Sequence, residues 1–150
     1  MSITQREMNC APPDVFGVLS DGWLYGLWVV GASRIRDVDK SWPNPAAKIH
    51  HSVGSWPMLL NDTTSVTAYT PGRSIRLQAR AWPAGEADVQ IEVEQTPDGC
   101  RVRITEDVAK GPGRLIPKRL RDPVLHWRNT ESLRRLSYLA EQRAASADSQ

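Results

Sequence analysis

DPVLHWRNTESLRRLSYLAEQR, residues 122–143, is the stretch whose reading decides the fold. Leu125, Asn129, Leu133, Leu136 and Ala140 recur at spacings of three or four, with Leu139 beside them. Glu131, Arg134, Arg135, Glu141 and Gln142 fall elsewhere around the helical wheel, so one side is apolar and the other charged. Asp122 reads as the N-cap, and Pro123 sits at a tolerated first-turn position. Roughly 21 residues at about 1.5 Å each predict a rod of about 31 Å, enough to cross a domain. No other long helix is available, and one helix cannot fill the inside of a strongly curved sheet. The expected result is a cavity between the two that holds something apolar. Asn129 is the polar member of the stripe, so it needs an interior partner, a water or a ligand.

Outward from this helix, the chain divides into short segments punctuated by proline and glycine. Residues 3–10 predict a first strand, and Ala11-Pro12-Pro13-Asp14 opens a short helix through Val15, Phe16, Val18 and Leu19. Ser20-Asp21-Gly22 ends it, and a second short segment through Trp23, Leu24 and Tyr25 leads to a strand near Trp28 to Val38. Further strands are expected over about 47–56, 58–69, 73–82, 87–96 and 100–110. Thr96-Pro97-Asp98-Gly99 is a tight-turn signal that makes the last two a hairpin. Val89, Ile91 and Val93 share one face, as do Val102 and Ile104; Gln90, Glu92 and Glu94 face outward opposite Arg101 and Arg103.

The same two-residue period singles out two polar groups. Glu106 continues the Val102–Ile104 face and should point inward, where a lone carboxylate is costly unless paired or protonated. His51 shares the apolar face of Ile49 and Val53, whereas His50 points outward with Ser52, so the two histidines do not form a simple metal chelate. Each inward group reads either as a structural hydrogen bond at a cavity rim or as a polar anchor inside an apolar site. Three of the six tryptophans precede proline, at Trp42, Trp56 and Trp82, which marks strand ends gathered at a sheet rim. Indoles there either line a cavity mouth or plug the core, and Trp23, Tyr25 and Trp28 carry the same two readings.

Composition bounds the function. The chain has 150 residues, 19 basic against 17 acidic, and a formal charge of +2, which makes no case for nucleic acid. No apolar run is long enough to span a bilayer and Ser2 to Glu7 lacks signal-peptide features, so integral membrane association is not expected and the default location is the cytoplasm. Cys10 and Cys100 stand ninety positions apart, neither a disulfide framework nor a zinc spacing, and reduced thiols are expected. No metal and no cofactor is implied. The domain reads as residues 1–143, with 144–150 a flexible tail. Lys110, Arg114, Lys118, Arg119 and Arg121 form a basic stretch that reads as solvated surface or as an attractor for an anionic head or membrane surface.

Taken together, Ala11 to Asp21, Ile35-Arg36, Trp42-Pro43, His51-Ser52-Val53-Gly54, Gly85-Glu86-Ala87 and Arg128 to Leu136 resemble the polyketide cyclase/dehydrase and lipid-transport group of the START-like, Bet v 1-like (SRPBCC) superfamily. The resemblance covers about residues 3–143. It implies an α+β helix-grip fold: a curved antiparallel sheet of six to seven strands around a long C-terminal helix, with two short helices between the first two strands. It also implies that the first and last strands are neighbours, which would bring Cys10 close to Cys100.

Members of that group differ in chemistry, and no single short motif defines a catalytic site among them. The sequence lacks a His-Glu-x-x-His helix, a Gly-x-Ser-x-Gly elbow and a phosphate-binding glycine loop. The leading expectation is a protein that binds a small hydrophobic or aromatic ligand, lipid- or polyketide-like. The residues expected to contact it are His51, Glu106, Asn129, Trp28, Trp56, Tyr69, Trp82 and Leu133. One alternative is a cyclase or dehydratase in which His51 and Glu106 move protons; another is a protein-interaction module, and the chain is either monomer or homodimer. An open cavity of about 300 Å³ or more would favour the ligand, a collapsed interior a protein partner.

Overall fold

The structure is a computed structural model that describes residues 1–53, 57, 59–81 and 85–149. β1 (Ser2–Met8) leads to α1 (Pro12–Leu19), a 3-10 turn (Gly22–Leu24) and α2 (Tyr25–Trp28). There follow β2 (Ala32–Val38), β3 (Lys48–Val53), β4 (Leu60–Thr70), β5 (Ser74–Ala81), β6 (Gly85–Thr96) and β7 (Gly99–Lys110). A second 3-10 turn (Pro112–Leu115) precedes α3 (Lys118–Asp148). The seven strands form one antiparallel sheet in the order β1-β7-β6-β5-β4-β3-β2. This is the helix-grip architecture expected from the sequence. Irregular register within the β2–β3, β4–β5 and β6–β7 pairs marks the places where the ladder bends.

The hairpin at Thr96–Gly99 fixes the register of the last two strands. Glu92 pairs with Arg103 and Glu94 with Arg101 on the outer face, while Ile91 lies opposite Ile104 and Val93 opposite Val102 within. β1 then adds beside β7, with Met8 opposite Cys100. The chain passes so close that a Cβ on Gly99 would lie 2.1 Å from the Met8 carbonyl oxygen, a distance only glycine allows. Cys10 and Cys100 come within hydrogen-bonding reach, both buried and both free thiols.

The core lies between the concave face and the helices. Ile49, Ile75, Ile91, Ile104 and Val102 come from the sheet, Val15, Phe16 and Val18 from α1, and Leu133, Leu136 and Ala140 from α3. Ser132 and Ser137 are also buried on α3, so the inner stripe is more polar than the leucine spacing suggests.

Several boundaries differ from the sequence expectation. α3 has 31 residues, about 46 Å, rather than starting at Asp122 and ending at Arg143. Its N-cap is Pro117, and Pro123 lies inside the helix. Lys118-Arg119-Leu120-Arg121 are good helix formers, and Arg121 is held by Asp107 at 3.1 Å, so the helix nucleates before the proline. Asp122 instead lies 3.5 Å from the N-terminal ammonium of Met1. Residues 144–148, expected in the tail, continue the helix. Trp28 ends α2 rather than beginning a strand, because Gly31, at a φ of 102°, turns the chain first. Ser52 faces outward yet is buried, since its hydroxyl donates to Asn61 Oδ1 at 3.0 Å and its carbonyl accepts from Ser33 at 3.1 Å.

The basic stretch divides. Arg121 is enclosed by its aspartates and Lys110 lies 3.7 Å from Glu86, whereas Arg114, Lys118 and Arg119 are exposed. Among the described residues, no helix is long and apolar enough to cross a membrane.

Candidate functional site

Between the concave sheet and the first half of α3, a cavity of about 110 Å³ remains open. Its apolar wall is Trp28, Val29 and Val30 from the end of α2, Leu77 and Val89 from the sheet, and Ile104 from β7. Two polar groups project into this wall from opposite sides.

The first is carried by β7 and α3. Glu106 is 2% exposed, as strand parity requires, and its carboxylate accepts from Asn129 Nδ2 at 2.8 Å and from Arg128 Nη2. Adjacent positions of one helix therefore both reach the same carboxylate. The guanidinium balances the charge, and Asn129 occupies the second oxygen, so the carboxylate is neither lone nor unsatisfied. Asn129 thus finds its interior partner in a side chain. Arg128, about one-third exposed, extends from this pair toward solvent.

The second polar group spans β3, β4 and α2. His51 Nε2 lies 2.9 Å from Thr64 Oγ1, and Thr64 Oγ1 lies 3.0 Å from the Tyr25 hydroxyl. The Tyr25 ring stacks on the imidazole with centroids 5.6 Å apart and meets Trp28 edge-on, also at 5.6 Å. Burial depresses the His51 pKa below its ordinary value, with Asp62 opposing and Arg36 and His50 reinforcing that shift. Burial likewise raises the Tyr25 hydroxyl, so both groups are neutral at ordinary pH. Nδ1 of His51 is buried and has no hydrogen-bond partner among the described residues.

The cavity therefore brings together His51, Glu106, Asn129 and Trp28 from widely separated positions. It does not include Tyr69 or Leu133. Tyr69 follows the irregularity between Val66 and Ala68 and packs against Phe16 of α1, with centroids 6.3 Å apart. Leu133 is a core residue, 1% exposed, one position beyond the cavity-lining Ser132. Trp56 and Trp82 lie outside the described residues. Thr64, Arg128 and Ser132 were missed by the sequence reading, and Tyr25, which it left between cavity mouth and core, lines the cavity. Thr64 follows strand parity and was findable; Arg128 lies beside the apolar stripe, where a charged residue normally reads as solvated.

At about 110 Å³ the cavity falls short of the roughly 300 Å³ expected of a ligand site, and is well below the size needed for a lipid chain or a fused-ring molecule. It is closer to the engineered apolar cavity of about 150 Å³ that accepts benzene. A second, larger hollow between α1 and the β4–β5 turn opens to solvent and is bordered by Arg73, Glu92, Glu94, Arg101 and Arg103. Its charges pair across the outer face, as Arg101 does with Glu94 at 3.8 Å, and it lacks an enclosed apolar wall. Among the described residues, no group of three or more His, Cys, Asp or Glu side chains is placed to hold a metal ion.

No protein-family model and no curated protein sequence matches the chain. Solved structures do. Protein NE0264 from Nitrosomonas europaea is similar over 95% of both chains at 18% identity, with a TM-score of 0.72. The di-domain ARO/CYC StfQ from the steffimycin biosynthetic pathway is similar over 95% of this chain at 13% identity, with a TM-score of 0.75; the match spans 51% of StfQ. Ara h 8.0201 is similar over 93% of this chain and 96% of its own length at 10% identity, with a TM-score of 0.67. At these identities the likeness is one of fold alone: the chain shares with these structures a helix-grip fold, a curved antiparallel sheet closed by a long C-terminal helix.

Proposed function

We propose that the protein binds a small, largely apolar molecule of about one ring in the cavity between α3 and the sheet. The observation that carries this reading is a cavity of about 110 Å³ between α3 and the sheet, walled mainly by apolar side chains, with His51, Tyr25 and Thr64 in its lining. A collapsed interior, as a pure protein-interaction module would have, offers no such space. Likeness in fold to Ara h 8.0201 and to an aromatase/cyclase domain is consistent with it. Ligand recognition is assigned to His51, Trp28 and Tyr25, while Glu106 holds Arg128 and Asn129 at the opposite wall.

Native mass spectrometry of protein purified from its own host tests this directly. The expected result is a retained small molecule, lost on denaturation. A bare polypeptide mass, combined with no binding of any one-ring aromatic probe, would sink the reading and leave partner binding in its place.

A second reading, cyclisation or dehydration of a polyketide-like substrate, is favoured by one observation: His51 is a neutral imidazole beside the cavity, suited to accept a proton. Glu106 is less suited, because its two oxygens are already committed to Arg128 and Asn129. Turnover that survives His51→Gln would remove this mechanism.

A further inference from the structure

The first turns of α3 are held on one side and bare on the other. Arg121 reaches Asp107 at 3.1 Å, His126 Nδ1 lies 3.0 Å from Thr4 Oγ1, and Asn129 donates to Glu106 at 2.8 Å, so the side facing β1 and β7 is fixed. At 3.6 residues per turn the opposite side carries Leu120, Val124 and Trp127, which are 63%, 63% and 66% exposed. Leu115, 85% exposed, and Ile116 stand just ahead of the helix. Exposed apolar side chains scattered singly are ordinary; a run of them over residues 115–127 marks a surface that meets something other than water.

We propose that this face docks on an anionic bilayer surface, with Leu120, Val124 and Trp127 entering the headgroup boundary and Arg114, Lys118 and Arg119 resting on lipid phosphates. Charge complementarity selects that occupant. The three cations are exposed, and between Asp107 and Glu131 the chain has a single carboxylate, Asp122. Asp122 is itself engaged, 3.5 Å from the Met1 ammonium and 3.7 Å from Arg121, so the cations have no acidic neighbour along this stretch to neutralise them. Arg and Lys stems lie along apolar surface with their charges raised, and an indole suits a boundary that is apolar on one side and wet on the other. Together they make the surface of a helix that lies in the plane of a membrane interface. A nucleic acid would satisfy the cations and leave leucine and valine bare. A second copy would bring the same cations to the shared interface, and the next carboxylate along α3, Glu131, already holds Arg134 and Arg135 at 2.8 and 3.0 Å. None of this depends on what the cavity holds.

The test is co-sedimentation of the full chain with two sets of vesicles, one of phosphatidylcholine alone and one containing about one-third phosphatidylglycerol. At about fivefold for each cation, binding to the anionic set is expected to be about a hundredfold stronger than to the neutral set, and to weaken as salt is raised. Two variants divide the surface: Leu120→Ser/Val124→Ser/Trp127→Ser removes the apolar stripe and Arg114→Gln/Lys118→Gln/Arg119→Gln removes the charge. Each is expected to lower binding to the anionic vesicles at least tenfold at an unchanged Tm, and Trp127→Ser alone, the mildest change, to lower it in the same direction. No affinity for anionic vesicles, equal affinity for both sets, or unchanged binding in the folded variants would each overturn the proposal. So would a concentration-dependent dimer in sedimentation velocity that Trp127→Ser dissolves, since the face would then belong to a second copy.

Discussion

At the scale of single residues, burial decides what each titratable group can do. His51 is held neutral in the folded chain, whereas in the unfolded chain it titrates near its ordinary value of 6.5. The unfolded state therefore takes up a proton first as pH falls, so stability is full above about 6.5 and declines through the window below it. Urea midpoints across that window should fall with acid in the wild-type chain and fall less steeply in His51→Gln. Cys10 is pushed up to about 12 by burial and by the neighbouring Cys100, whose own thiol is also raised. Alkylation by iodoacetamide at pH 8 should accordingly be slow in the native protein and rapid in urea. Glu106 has a heavier structural role than its position on the strand suggests. Replacing it with Gln removes the charge that holds Arg128, and a loss of about 1.5 to 3 kcal/mol is expected by urea denaturation. Little change on Glu106→Gln would show that Arg128 finds an equal partner in solvent.

At the scale of elements, α3 carries the most weight. Leu133, Leu136 and Ala140 are all at or below 1% exposed, so the middle of the helix is the seal over the core. Leu133→Ala should cost about 2 to 5 kcal/mol, read from the urea midpoint. Because Leu133 is outside the cavity wall, the same substitution should leave affinity for a one-ring aromatic probe close to wild type wherever the protein remains folded. A large loss of affinity would place Leu133 in the site after all. The start of α3 also shows how tertiary contacts move an element boundary. Asp122-Pro123 has the chemistry of a helix start, but Arg121 is drawn to Asp107 on β7 and Asp122 to the Met1 ammonium, and the helix begins at Lys118.

At the scale of the whole molecule, a ligand in the cavity would touch α2, β3, β7 and α3 at once, so binding should stabilise the fold as a unit. At a free concentration of about 100 times its Kd, a one-ring aromatic probe should add about 2.7 kcal/mol, visible as a raised Tm; no shift at any concentration would show that the native fold does not bind it. The sequence by itself determined the order of the elements, the β6–β7 hairpin and the inward direction of His51, Glu106 and Asn129. These follow from local rules, the two-residue period of a strand and the 3.6-residue period of a helix, which act wherever the chain sits. Tertiary structure alone decided which inward groups meet. Glu106 joins Arg128 and Asn129 because β7 lies under the first half of α3, and His51 joins Thr64 and Tyr25 because β4 and α2 flank β3. Tyr69 and Leu133 obey the same local rules yet fall elsewhere, since an irregular register redirects one and a single helical step separates the other from Ser132. Periodicity fixes the face on which a side chain lies; its partners and the volume left between them depend on how sheet and helix curve past each other, which no local pattern encodes.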